Sequence, residues 1–149
     1  MKKFHFTLGR MLDFKNQILD KEKDTLGRIR REKNEMDEKI LRYERQLAQA
    51  SDEMIEKQKK GVPARQLILY SIQAEHTRQY LKQLRKEQLA LEKEVERQTD
   101  VVRRASQDVS SLEKLKERQW EQYCYEANKA YQEEILEFVS GRLVRTERR

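Results

Sequence analysis

The sequence predicts an all-α protein: a long antiparallel two-helix coiled-coil hairpin whose C-terminal helix is longer than its N-terminal one. Three observations predict it. The charged fraction is 40% and the apolar fraction 36%, against about 25% and 45–50% in ordinary globular domains. Four glycines and a single proline interrupt 149 residues, which argues against disorder as firmly as the low apolar content argues against a large core. Two long runs of heptad-spaced apolar residues flank one break, Gly61-Val62-Pro63.

The first helix is expected over about residues 4–60. With position a at residue 5, the a series reads His5, Leu12, Leu19, Leu26, Lys33, Ile40, Leu47 and Met54. The d series reads Leu8, Lys15, Glu22, Ile29, Met36, Tyr43, Ala50 and Lys57. Eleven of these sixteen are apolar, the density of a coiled-coil seam. Phe4, Met11 and Ile18 add a neighbouring apolar row.

The turn is expected at 61–63. Glycine just past a periodic segment stops a helix, and proline suits the start of the next. So short a break between two long helical patterns favours an antiparallel hairpin.

The second helix is expected over about 64–140. Its a series is Leu67, Ala74, Leu81, Gln88, Val95, Val102, Val109, Lys116 and Tyr123. Its d series is Tyr70, Thr77, Leu84, Leu91, Gln98, Ala105, Leu112 and Gln119. Twelve of these seventeen are apolar. Beyond Leu112 the frame slips through Leu115, Trp120, Tyr123, Ala127, Tyr131, Ile135 and Phe138. Gly141 is read as a stop, and residues 141–149 as a basic tail. At 1.5 Å per residue the helices would be roughly 85 and 115 Å long. The second would overhang the first, either meeting an external partner or folding back onto the row from Phe4 to Ile18.

Polar seam residues cost stability and set register. Lys15, Glu22, Lys33, Gln88 and Gln98 are read in that role, with Lys33 roughly opposite Gln88. The alternative is a seam weakened so that it can open. Residues 1–33 carry ten Lys/Arg against five Asp/Glu, and residues 142–149 four Arg against one Glu. A hairpin would gather these basic ends, a field that suits an acidic partner surface.

Several function classes are set aside. No run of about 18 apolar residues could span a membrane. The opening "MKKFHFTLGRML" lacks the apolar region of a signal peptide. A single cysteine, Cys124, permits no internal disulfide and suits a reducing, cytosolic compartment. His5 and His76 join no set with metal-ligand spacing. Cys124 has no histidine to act as its base, and no glycine-rich loop could cradle phosphate. Enzymatic activity and a cofactor are therefore not expected. The pI is about 9.4, yet basic and acidic residues alternate and no nucleic-acid-binding motif occurs. Nor do the helices oppose a broad apolar face to a purely basic one, as membrane-surface helices do.

These features resemble the FliJ proteins of bacterial flagellar export. The stretch "MKKFHFTLGRMLDFKNQILDKEKDTLGRI" is similar to that family's usual start, with an early aromatic residue, then Leu8 and Leu12, then a charged helix. The middle is similar too: "ILRYERQLAQ", a glycine-containing break, then "LILYSIQAEHTRQYLKQLRKE" with its Tyr80-Leu81-xx-Leu84 step. The resemblance covers essentially the whole chain. It implies a stalk-like coiled coil in the cytoplasmic ATPase complex of the flagellar type III export apparatus at the inner membrane's cytoplasmic face; the hairpin itself is expected to be a monomer in isolation. The implied partners are the hexameric export ATPase FliI, the export gate protein FlhA and export chaperones. By the same resemblance Tyr43, Leu47, Tyr70, Gln73 and Tyr80 would serve gate and chaperone binding near the turn. Tyr43, Leu47 and Tyr70 are also seam positions, so core packing is their alternative role. Phe4, Arg10, Arg142, Arg145 and Arg148 would serve ATPase binding at the terminal end. The rival readings are a coiled-coil adaptor of another assembly and a homodimeric helical rod.

Overall fold

The computed structural model describes residues 2–148. It contains two helices, α1 (Gly9–Lys60) and α2 (Ala64–Glu147), which pack antiparallel as a hairpin. Gly61 supplies the reversal. Its φ of 93° lies in the left-handed region, the only positive φ among the described residues, where a side chain would be strained. Its N–H donates to the Gln58 carbonyl at 3.2 Å, closing α1. The Pro63 carbonyl then accepts from Gln66 and Leu67 at 3.0 and 3.4 Å, opening α2. Proline has no N–H, and at this position none is needed.

Both outer helix boundaries differ from the sequence expectation. Helix α1 begins at Gly9, not near residue 4. Residues 2–6 are irregular and Thr7-Leu8 form a turn, with Gly9 N–H bonded to the Phe6 carbonyl at 3.0 Å. Phe4, His5, Phe6 and Thr7 are weak helix formers. An extended strand of chain also advances about twice as far per residue as a helix. Leaving the helix lets Phe6 become buried. His5, assigned to the helical seam, is exposed instead.

At the other end α2 does not stop at Gly141 but runs on to Glu147. A helical glycine costs about 1 kcal/mol relative to alanine. Gly141 does not adopt positive φ, and good helix formers on both sides absorb that cost. The expected tail is thus largely helical.

The described chain divides into two compact units. The turn unit is Lys21–Arg103. Its core is Leu26, Ile29, Ile40, Ala74, Leu81 and Leu84, all seam positions. Ile40, Leu81 and Leu84 form a continuous cluster with Met36, Tyr43 and Leu47 against it. The terminal unit takes residues 2–20 and 104–148. It buries Phe6, Leu12, Leu19, Ala105 and Val109.

The polar seam residues find partners across or along the hairpin. In the turn unit, Gln98 Nε2 donates to the Glu22 carbonyl at 3.1 Å and to the Glu22 carboxylate. Gln88 Nε2 donates to Asp37 Oδ1 at 2.6 Å, and Lys33 Nζ lies 3.5 Å from the same carboxylate. Lys33 and Gln88 therefore meet on Asp37. In the terminal unit, Lys15 Nζ lies 3.4 Å from Asp108. Sliding one helix by a heptad would separate each cross-helix pair, which supports the register role of these residues.

Candidate functional site

The turn unit brings together the residues that the resemblance singled out there. Leu47, Tyr70 and Gln73 line one cleft of about 170 Å³, with Gln46, Ala50, Ala74 and Thr77. Tyr43 and Tyr80 meet edge to face, with ring centroids 5.0 Å apart and planes at 72°. The Lys39 ammonium stands 5.5 Å from the Tyr80 ring centroid, within cation–π range. Hydrogen bonding to Tyr80, and then the charge interaction with it, holds that ammonium above its ordinary pKa. Tyr43, Leu47 and Tyr70 are half-buried, whereas Gln73 and Tyr80 are exposed. The first three hence contribute to packing, and the last two are open to a partner.

The start of α2 carries an apolar surface that heptad reasoning missed. Ile68, Leu69 and Ile72 are 60%, 53% and 50% exposed. Ile72 also lines a shallow groove with Ser71, Glu75, His76 and Gln79. The signal was present in "LILY". A seam takes only Leu67 and Tyr70 from that run, leaving two adjacent apolar residues facing away from α1. These three side chains leave apolar surface open to solvent at the start of α2.

In the terminal unit, Phe4 is packed rather than presented. Its ring meets Trp120 edge to face at 5.1 Å and Tyr123 at 5.6 Å. Trp120 and Tyr123 stack at 5.6 Å, and the Tyr123 hydroxyl donates to the Lys2 carbonyl at 2.8 Å. The irregular N-terminal segment thus covers part of the predicted overhang; α2 itself does not bend back. Beyond residue 130 every described residue of α2 is exposed.

Arg10, Arg142, Arg145 and Arg148 are exposed as well, but they do not form one patch. Arg10 lies between the Lys15–Asp108 and Phe4–Trp120 levels. Arg142 follows Trp120 on the same helix by roughly 33 Å of helical rise. Its guanidinium sits 5.8 Å from the Phe138 ring centroid. Among the described residues, no group of three His, Cys, Asp or Glu could hold a metal ion. No helix among them is long and apolar enough to cross a membrane.

A heptad-packed helical hairpin with apolar and aromatic side chains left facing outward defines a coiled-coil protein that offers surfaces to partners. The family model described as "Flagellar FliJ protein" matches residues 4–148. The chain belongs to that family, a family of flagellar export apparatus components. No curated protein and no solved structure matches it.

Proposed function

We propose that this chain is a non-catalytic, stalk-like coiled coil of the flagellar type III export apparatus. It binds the export ATPase FliI, promotes assembly and turnover of its hexamer, and links it to the gate protein FlhA and to export chaperones. The observation that carries this reading is the family match over residues 4–148 on an antiparallel hairpin.

Physical chemistry adds support. A two-helix cross-section has no three- or six-fold symmetry, so a ring that docks on it contacts it differently from each subunit. That difference biases subunit conformations, which is a coupling between sites. For the ATPase, the residues in this reading are Arg10, Arg142, Arg145 and Arg148, with Phe4 holding the N-terminal segment against Trp120 and Tyr123. For the gate and chaperones, Gln73 and Tyr80 are the exposed members of the original set. The outward face of Ile68, Leu69, Ile72 and His76 extends that surface. In the cell the protein would sit in the cytoplasm at the inner membrane, held there by the apparatus.

The test is a pull-down with the cognate export ATPase, followed by oligomerisation and turnover assays. Expected are binding, more hexamer and faster ATP hydrolysis, with none from the isolated chain. Unchanged assembly and turnover would refute the stalk reading and favour an adaptor of another assembly. Charge reversal at Arg142, Arg145 and Arg148 should weaken ring binding and flatten its salt dependence.

A further inference from the structure

The terminal unit carries an open groove of about 550 Å³ between the start of α1 and the middle of α2. The heptad pattern explains it. Position a of α2 holds Lys116 where an apolar residue would close the interface, and that lysine is exposed. Leu12, Phe4 and Trp120 supply the apolar part of the groove. Trp120 is the chain's single tryptophan. It stays 48% exposed although it packs on Phe4 and Tyr123.

The polar part is acidic. Asp13 contributes from α1, Glu113 and Glu117 from α2, and all three are exposed. Among the described residues, none of the three joins an ion pair. Lys116 is the one cation lining the groove. Three carboxylates against one ammonium leave it locally negative in a chain whose net charge is +6. Glu113 and Glu117 stand one helical turn apart, a spacing at which like charges destabilise a helix. Trp120 follows at i+3 from Glu117, on the same face. An open aromatic ring and unneutralised carboxylates thus share one groove.

The carboxylates call for a cation, and the indole favours a flat, weakly hydrated one. Guanidinium meets both demands, because it stacks on aromatic rings and its fork of donors matches carboxylates. An ammonium is compact and strongly hydrated, and meets only the first. We infer that this groove docks an arginine-bearing segment of a partner protein. The guanidinium lies against Trp120 and donates to the carboxylates, while an apolar neighbour in the segment covers Leu12 and Phe4. The site is open to water, so a single such contact binds weakly and is sensitive to salt. Its partner chemistry is opposite in sign to that suited to the arginines at the end of α2, so it does not rest on the stalk reading.

The test uses the full-length chain, without ATPase, and reads Trp120 fluorescence. The probe is the blocked peptide acetyl-Leu-Arg-Gly-Leu-Arg-amide, which has no aromatic residue. Counterparts carry lysine or glutamate in place of arginine. Circular dichroism checks that each variant keeps its helicity. The arginine peptide should change the emission saturably at concentrations up to about millimolar. The lysine peptide should bind more weakly, and the glutamate peptide should give no saturable change. Glu113→Gln with Glu117→Gln should weaken arginine-peptide binding about tenfold, and Lys116→Gln should strengthen it about threefold. Glu92 and Glu96 have the same spacing on the same helix and are exposed. Glu92→Gln with Glu96→Gln should leave binding unchanged. No saturable response to the arginine peptide overturns the inference. So does equal binding of the lysine or glutamate peptide, or an equal loss from the two paired glutamate variants, which would mean charge attraction without a site.

Discussion

Leu81 and Leu84, and Ile135 and Phe138, are apolar pairs at the same spacing on the same helix. The first pair is 3% and 2% exposed, the second 44% and 67%. Intrinsic helix propensity does not separate them. The first pair has α1 opposite it, with Ile40 in direct contact. The second has no described residue opposite it. Apolar periodicity measures what a helix is able to bury, and the partner decides whether it does so.

The largest effect that would sharpen this contrast is truncation at Leu84. Leu84→Ala should cost about 2–3 kcal/mol, toward the low end for buried leucine because a two-helix interface closes readily over a gap. The matched substitution Phe138→Ala should stay within about 0.5 kcal/mol, the range for surface positions. Urea denaturation followed at 222 nm measures both. Comparable losses at the two sites would dissolve the distinction.

Next comes Gln98, a buried polar group in the turn unit. Replacing it with leucine removes two hydrogen bonds and leaves the Glu22 carboxylate facing an apolar side chain. Destabilisation of about 1–3 kcal/mol is expected. Replacing Glu22 by leucine together with Gln98 should recover much of it, since an apolar pair leaves nothing unsatisfied. A double-mutant cycle on the same unfolding assay reads the coupling.

The two glycines follow, with opposite signs. Gly61→Ala places a Cβ at positive φ and should destabilise by about 1–2 kcal/mol. Gly141→Ala has open space around the new methyl group and helical backbone on both sides. It should stabilise the end of α2 by about 0.5–1 kcal/mol. Amide hydrogen exchange of residues 138–147 should slow correspondingly. A destabilising Gly141→Ala would show that the glycine is needed for more than helix continuity.

The smallest effect is at Lys15 and Asp108, which are separated by 3.4 Å and partly exposed. Lys15→Met should change stability by less than about 1 kcal/mol, and the change should shrink as salt rises.

Much of this molecule was legible in its residues. Heptad spacing identified the core, from Leu12 and Leu26 to Leu84 and Val109, because periodicity is a local property written along one helix. The lone Gly-Pro break placed the reversal for the same reason. Polar seam residues were legible as a set, and so was the shared level of Lys33 and Gln88, although the groups they bond to were not. That Gln98 reaches Glu22 and that Gln88 and Lys33 share Asp37 follow from which side chains the register brings level. The candidate surface was read in part. Tyr43, Leu47 and Tyr70 were found as a group, yet their half-burial needed α1 and α2 together. Ile68, Leu69 and Ile72 were passed over because two apolar neighbours of a seam residue look alike in sequence until one side of the helix is occupied.

The sequence by itself therefore determined the all-α class, the two long helices and the point of reversal, since propensity, periodicity and turn chemistry act over a few residues. Only the tertiary structure decided that Phe4 and Phe6 leave the helix to pack, that α2 continues through Gly141, and which apolar faces stay open. Each of those outcomes depends on what lies opposite across the hairpin, and contacts between residues far apart in the chain carry no local signature.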